Sequence, residues 1–134
     1  MGAALSPWSL ELRLHSEHVH IGELRRWIVS ALRMERSGTV DVDAAEAILG
    51  ELLANVFTYS PGPFSVRLVR GADGACTLEV SDAGAPFRYP PPAKDLAEPG
   101  GHGLRLATAL SRSLQVTHRA GKGNCVVAVF AEPA

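Results

Sequence analysis

Glu51 and Asn55 stand four residues apart in a stretch of helical periodicity. That spacing puts both side chains on one helix face, one turn apart. A carboxylate there can serve as a general base, and an amide oxygen can ligand a hard cation without adding charge. The competing reading is an exposed polar face, the usual fate of such a pair. Asp82 closes an alternating run of Cys76, Leu78 and Val80 and shares their parity, which places it on the buried side of a strand. A buried carboxylate needs a partner. It reads either as the cap of the Ala83-Gly84 turn or as an acceptor for the amino group of a bound base.

Two glycine-rich segments join these residues. Gly100-Gly101-His102-Gly103-Leu104 opens a helical run, where free amides and close backbone approach make an anion site; a flexible loop is the alternative. Gly121-Lys122-Gly123-Asn124 reads as a hairpin turn first and a ligand contact second. His15, His18 and His20 form a local cluster across a strand end and a helix start. No cysteine or carboxylate accompanies them in a usual ligand spacing, so they read as solvated or capping residues rather than a zinc site.

Positioning these groups falls to eight elements. Leu10, Leu12 and Leu14 alternate with Glu11 and Arg13, which predicts a half-buried strand. From Glu17 to about Arg36 the apolar residues Ile21, Leu24, Ile28 and Leu32 keep helical spacing, and Ser37-Gly38 stops the run. A second helix runs from Asp41 or Asp43 to Thr58, with an aspartate cap and a break at Ser60-Pro61-Gly62-Pro63. Phe64, Val66 and Leu68 face one side of a strand, and Cys76, Leu78 and Val80 one side of the next; Gly71-Ala72-Asp73-Gly74 joins them as a hairpin. Residues 83–102 hold five prolines and three glycines and read as a long functional loop. A third helix over about 104–112 follows, then an alternating strand to His118. The last strand, Asn124 to Phe130, is nearly continuously apolar, which suggests a central position covered on both sides or near a partner. The pattern predicts a two-layer α/β sandwich, its mixed, mainly antiparallel sheet covered on one face by three helices.

Composition bounds what such a protein does. The chain has 134 residues, one domain by length, with 46% hydrophobic and 20% charged residues. Lys and Arg number 13 and Asp and Glu 14, so a net charge of -1 gives no general attraction to nucleic acid or anionic lipid. No apolar run reaches the ~20 residues of a membrane helix. Two cysteines, Cys76 and Cys125, cannot build a disulfide framework and read as buried free thiols of a soluble cytoplasmic protein.

Taken in order, the motifs resemble those of the GHKL ATP-binding superfamily, most closely the small bacterial anti-sigma factor serine kinases. Glu51-Leu52-Leu53-Ala54-Asn55-Val56 is similar to that family's N box. Val80-Ser81-Asp82-Ala83-Gly84 resembles its first glycine box, and Gly101-His102-Gly103-Leu104 its second. The resemblance implies ATP and Mg²⁺ as ligands. It makes Glu51 the general base, Asn55 the magnesium ligand and Asp82 the acceptor for the adenine amino group. Gly84 admits the base, Gly101, His102, Gly103 and Leu104 form the phosphate-binding turn, and residues 85–100 become a lid. Asn124 stands where the family has a threonine that reaches the base. Pro86 and Tyr59 also depart from the family pattern, at a second glycine and at a histidine or arginine. The implied partners are a sigma factor and an anti-anti-sigma (STAS-type) protein carrying the acceptor serine, with no direct nucleic acid or membrane; small members often pair, which leaves a homodimer open. The three departures motivate a second reading, a catalytically inactive protein-binding module on the same fold.

Overall fold

Alternating sequence becomes sheet wherever one face can be buried, and this chain does so five times. The strands are β1 (Trp8–His15), β2 (Pro63–Arg70), β3 (Cys76–Asp82), β4 (Ser111–Arg119) and β5 (Gly123–Phe130). The helices are α1 (Ile21–Arg33), α2 (Val42–Tyr59) and α3 (Pro99–Leu110). This computed structural model describes residues 7–34, 40–85, 99–119 and 123–132, with the backbone alone at 99–103 and 119. The strands form one open sheet in the order β1-β2-β3-β5-β4. Every pairing is antiparallel, so the expected mainly antiparallel sheet is antiparallel throughout.

The register lines up one face as rows of side chains. One row runs Leu12, Val66, Val80, Val126 and Val116; the next runs Leu10, Leu68, Leu78, Ala128 and Leu114. These residues meet Leu24, Ile28 and Leu32 of α1, Ile48, Leu49, Leu52 and Leu53 of α2, and Leu104 and Ala107 of α3 in one hydrophobic cluster. α2 lies centrally, with α1 and α3 both packed on it. Phe57 of α2 meets Phe64 of β2 edge to face, ring centroids 5.6 Å apart. The opposite face is mixed: Glu11, Arg67 and Glu79 form a polar cross-strand row, with Arg67 and Glu79 at 3.4 Å, and Val127 continues it on β5. Such exposed ion pairs add little stability, but they keep this face wet.

Local chemistry explains the element ends. Asp41 caps α2, its Oδ1 accepting the Ala44 N–H at 3.1 Å. The β2–β3 hairpin turns at Gly71–Gly74, where Gly74 takes φ 89° and Asp73 accepts the Ala75 N–H. α1 begins at Ile21 rather than near Glu17, because residues 15–18 form a turn closed by the His18 N–H on the His15 carbonyl at 2.9 Å. α3 begins at Pro99, so the glycine run lies in its first turn rather than ahead of it. Proline suits a first helical position, where an N–H has no partner anyway. α3 ends at Leu110, which puts Arg112 in β4.

β5 is interior to the sheet, as its composition suggests, but its burial alternates: Val126, Ala128 and Phe130 are buried while Cys125, Val127 and Val129 are half-buried. One face is covered by helices and the other only by neighbouring side chains. Cys76 is buried, Cys125 half-buried, and both are free thiols. Ser37-Gly38 and residues 86–98, including Pro86 and most of the proposed lid, lie outside the described residues. Among the described residues no helix is long and apolar enough to cross a membrane.

Candidate functional site

The helix-facing side of the sheet turns polar at one end. The row beyond Val80 and Val126 begins with Leu14, Phe64 and Asp82. Continuing the pairing of Ser81 with Cys125 by one residue sets Asp82 opposite Asn124. Asp82 and Asn124 are 8% and 2% exposed. A carboxylate this buried must be satisfied, and among the described residues no cation pairs with it. Two N–H donors do the work: Asp82 Oδ1 accepts from the Gly84 backbone at 2.8 Å and from Asn124 Nδ2 at 3.0 Å. The turn-cap reading of Asp82 is therefore correct, and it leaves the second oxygen, Oδ2, accepting nothing from the described residues.

Asn124 is the second clamp on this turn. Its Nδ2 also donates to the Ala85 carbonyl at 2.8 Å, tying β5 to the chain leaving β3. Its Oδ1 is buried with no hydrogen-bond partner among the described residues. An unpaired buried acceptor is uncommon and invites a donor. Gly123, just before it, has φ 93° and lies against the backbone of Asp82 and Ala83.

Small residues let α2 reach this turn. Ser60, the residue after α2, is buried, and a Cβ on Gly84 would sit 2.7 Å from the Ser60 Cβ. Glycine at 84 is thus required by contact with the helix end. Asn55 lies five residues before Ser60, roughly 7.5 Å down the helix axis, and Glu51 one turn further. Both are half-buried, and neither side chain forms a hydrogen bond or ion pair with another described residue. They share a flank of α2 turned roughly 100–140° from Gly50, the position that meets Arg25 of α1. The structure therefore joins Asp82, Gly84 and Asn124 directly, and sets Glu51 and Asn55 on the helix that abuts them.

Gly100, Gly101 and His102 follow Pro99 in the first turn of α3, where the leading amides have no intrahelical partner; Gly103 stands four residues after Pro99, so its N–H is within the helical ladder. Leu104 is buried and belongs to the core rather than to an open surface. Residues 120–122 lie outside the described residues, so only Gly123 and Asn124 of that turn are placed. A concavity of about 1130 Å³ opens on the other face of the sheet, lined by Glu11, Arg13, Arg67 and Glu79. It reaches the site only at its margin, because the Asp82 side chain has helix-face parity.

Sequence reading missed one contributor: Ser60 reads only as part of a helix break, yet it seats Gly84. Asn124 reads as a candidate ligand contact; what the sequence does not show is that it bridges two elements 42 positions apart in the chain.

A half-covered antiparallel sheet, polar at one end beneath a helix with a carboxylate and a carboxamide one turn apart, is the layout of a GHKL-type ATPase domain. The chain belongs to the histidine kinase-like ATPase domain family, which it matches over residues 14–130. Among solved structures it is similar to the Acinetobacter baumannii histidine kinase AdeS, with a TM-score of 0.54 and 16% identity, covering 93% of this chain and 68% of that one. That similarity is one of fold. No curated protein matches the chain.

Proposed function

We propose that this domain binds ATP with Mg²⁺ and acts as an anti-sigma-factor-type regulator, phosphorylating a serine on a STAS-type partner, sequestering a sigma factor, or both. The observation that carries the nucleotide reading is the buried Asp82 turn. Its Oδ1 is held by two donors, its Oδ2 accepts nothing from the described residues, and the buried Asn124 Oδ1, unpaired among them, lies in the same cluster. A carboxylate oxygen uncommitted among the described residues, on a held side chain, suits the amino group of adenine, and the residues present therefore fit the ligand. Asn55 would hold the magnesium ion, whose charge neutralises phosphate oxygens when bound. The amino end of α3, where Gly101 and His102 lie in the first turn and Gly103 follows, would face phosphate.

Glu51 is assigned the proton. Its carboxylate is free of described partners and would accept hydrogen from the hydroxyl that attacks. General-base catalysis of this kind contributes typically ~10²–10⁴-fold. The partner classes rest on the motif resemblance, and the even charge balance supports protein rather than nucleic acid as the target.

Thermal unfolding with and without ATP and Mg²⁺ tests the nucleotide reading. At ~100 times its dissociation constant a ligand stabilises by about 2.7 kcal/mol. No change at millimolar ATP favours the non-catalytic module, the reading that the departures at Tyr59, Pro86 and Asn124 support. Glu51→Ala is expected to keep the ATP-induced shift while losing turnover of γ-labelled ATP in the presence of an acceptor captured from the native cell. Turnover at the wild-type rate would remove Glu51 from this role.

A further inference from the structure

We propose that His15, Glu17 and His18 form a binding site for a divalent transition metal of the zinc class, on the turn between β1 and α1. One ligand atom from each residue lies within 4.8 Å of the other two. A tetrahedral zinc ion spaces its ligands about 3.3 Å apart at bonds of ~2.0–2.1 Å. Glu17 and His18 are exposed and His15 half-buried, so side-chain rotation closes that difference without moving the core. Two imidazoles and a carboxylate are donors suited to Zn²⁺, Co²⁺, Ni²⁺ or Cu²⁺ rather than to the all-oxygen sites of Mg²⁺ and Ca²⁺. Three protein ligands leave a fourth position for water.

The turn is organised independently of any ion. The His18 N–H meets the His15 carbonyl at 2.9 Å. The Ser16 N–H meets the Gly62 carbonyl at 3.0 Å, and the Gly62 N–H returns to the Ser16 hydroxyl at 2.8 Å. A preformed turn of this kind presents its ligands at low ordering cost. The His15 and His18 rings lie side by side, centroids 5.3 Å apart. Glu17 has no ion-pair partner among the described residues, so its carboxylate is available.

One interaction competes. His15 Nδ1 accepts the Glu17 backbone N–H at 3.2 Å. Ligation through Nδ1 displaces that bond, and ligation through Nε2 moves the ring proton to Nδ1. Either way a single long, exposed hydrogen bond is exchanged for a metal bond, and water can satisfy the freed amide. His20 does not join the set: it precedes α1, and its ring lies against Gly22. The sequence pattern of three histidines therefore misleads, since the carboxylate between two of them is the third ligand. The site stands whether or not the domain binds ATP.

Metal-stripped full-length protein titrated with Co²⁺ and then Zn²⁺, followed by calorimetry and by the visible absorption of Co²⁺, tests this. One equivalent of Co²⁺ is expected, with its absorption bleached by Zn²⁺. His15→Gln, Glu17→Gln and His18→Gln are each expected to weaken binding roughly tenfold to hundredfold. His20→Gln and Cys125→Ser are expected to leave it unchanged. Circular dichroism checks each fold, and the exposed His18→Gln and Glu17→Gln keep the test valid if His15→Gln does not fold. A non-saturating titration, or binding that survives loss of both His18 and Glu17, or that disappears with His20→Gln or Cys125→Ser, overturns the proposal.

Discussion

Asp82→Asn is expected to weaken ATP binding about 30- to 300-fold, or ~2–3.5 kcal/mol, while leaving the fold intact. The reason lies in how the carboxylate is held. Its Oδ1 accepts from Gly84 and from Asn124 Nδ2, so an asparagine at 82 must put its carbonyl oxygen in that place. Its NH₂ then occupies the Oδ2 position and faces the adenine amino group, donor against donor. The charge is lost as well, and hydrogen bonds to charged groups are the stronger kind. The same reversal should favour a purine that carries a carbonyl in place of the amino group. Calorimetry with ATP and with inosine triphosphate reads both effects. Unchanged ATP affinity, with no gain for the inosine nucleotide, would show that Asp82 caps its turn and reads no base. Asp82→Ala separates structure from binding, since it leaves the Gly84 N–H without its acceptor, a cost of about 1–3 kcal/mol in stability alone.

The largest stability effect is expected at Gly123. Alanine there is destabilising by about 3 kcal/mol or more, which lowers Tm by roughly 10–15 °C in a chain of this size. Two causes add. The backbone sits at φ 93°, where a side chain is strained by roughly 1–2 kcal/mol. A Cβ would also overlap the Asp82 carbonyl oxygen and lie 2.6 Å from the Ala83 Cα, backbone atoms that cannot rotate away. Gly62→Ala is the control: φ is 128°, but nothing lies within 4 Å of the added carbon. It should show strain without collision. Thermal denaturation of both variants decides. Equal losses at 62 and 123 would mean that conformation alone matters and that the β5 start does not press on the Asp82 turn. Where Gly123→Ala folds, the displaced turn should weaken nucleotide binding too.

Strand faces, the central helix and the hairpin are legible in the chain because each depends on neighbours in sequence. Leu10, Leu12 and Leu14 alternate, Asp41 caps the helix it precedes, and Gly74 supplies the positive φ its turn needs. Parity alone put Asp82 on the buried face, and that placement holds. Errors cluster at ends. The first helix begins four residues late because the turn at His15–His18 is pinned to Gly62, a residue 46 positions from Ser16. The glycines of the third helix read as its prelude because glycine disfavours helix interiors, yet a first turn opened by Pro99 tolerates them.

Periodicity, caps and turn chemistry thus determined which residues this protein would bury and which carboxylate would be trapped among them. Tertiary structure alone decided what that carboxylate touches. The Asn124 clamp exists because β3 pairs with β5 across an intervening helix and strand, and the Ser60 contact because α2 ends over the Asp82 turn. Hydrogen bonds between residues so distant in the chain follow from register and packing, which local patterns constrain only through the core they must share.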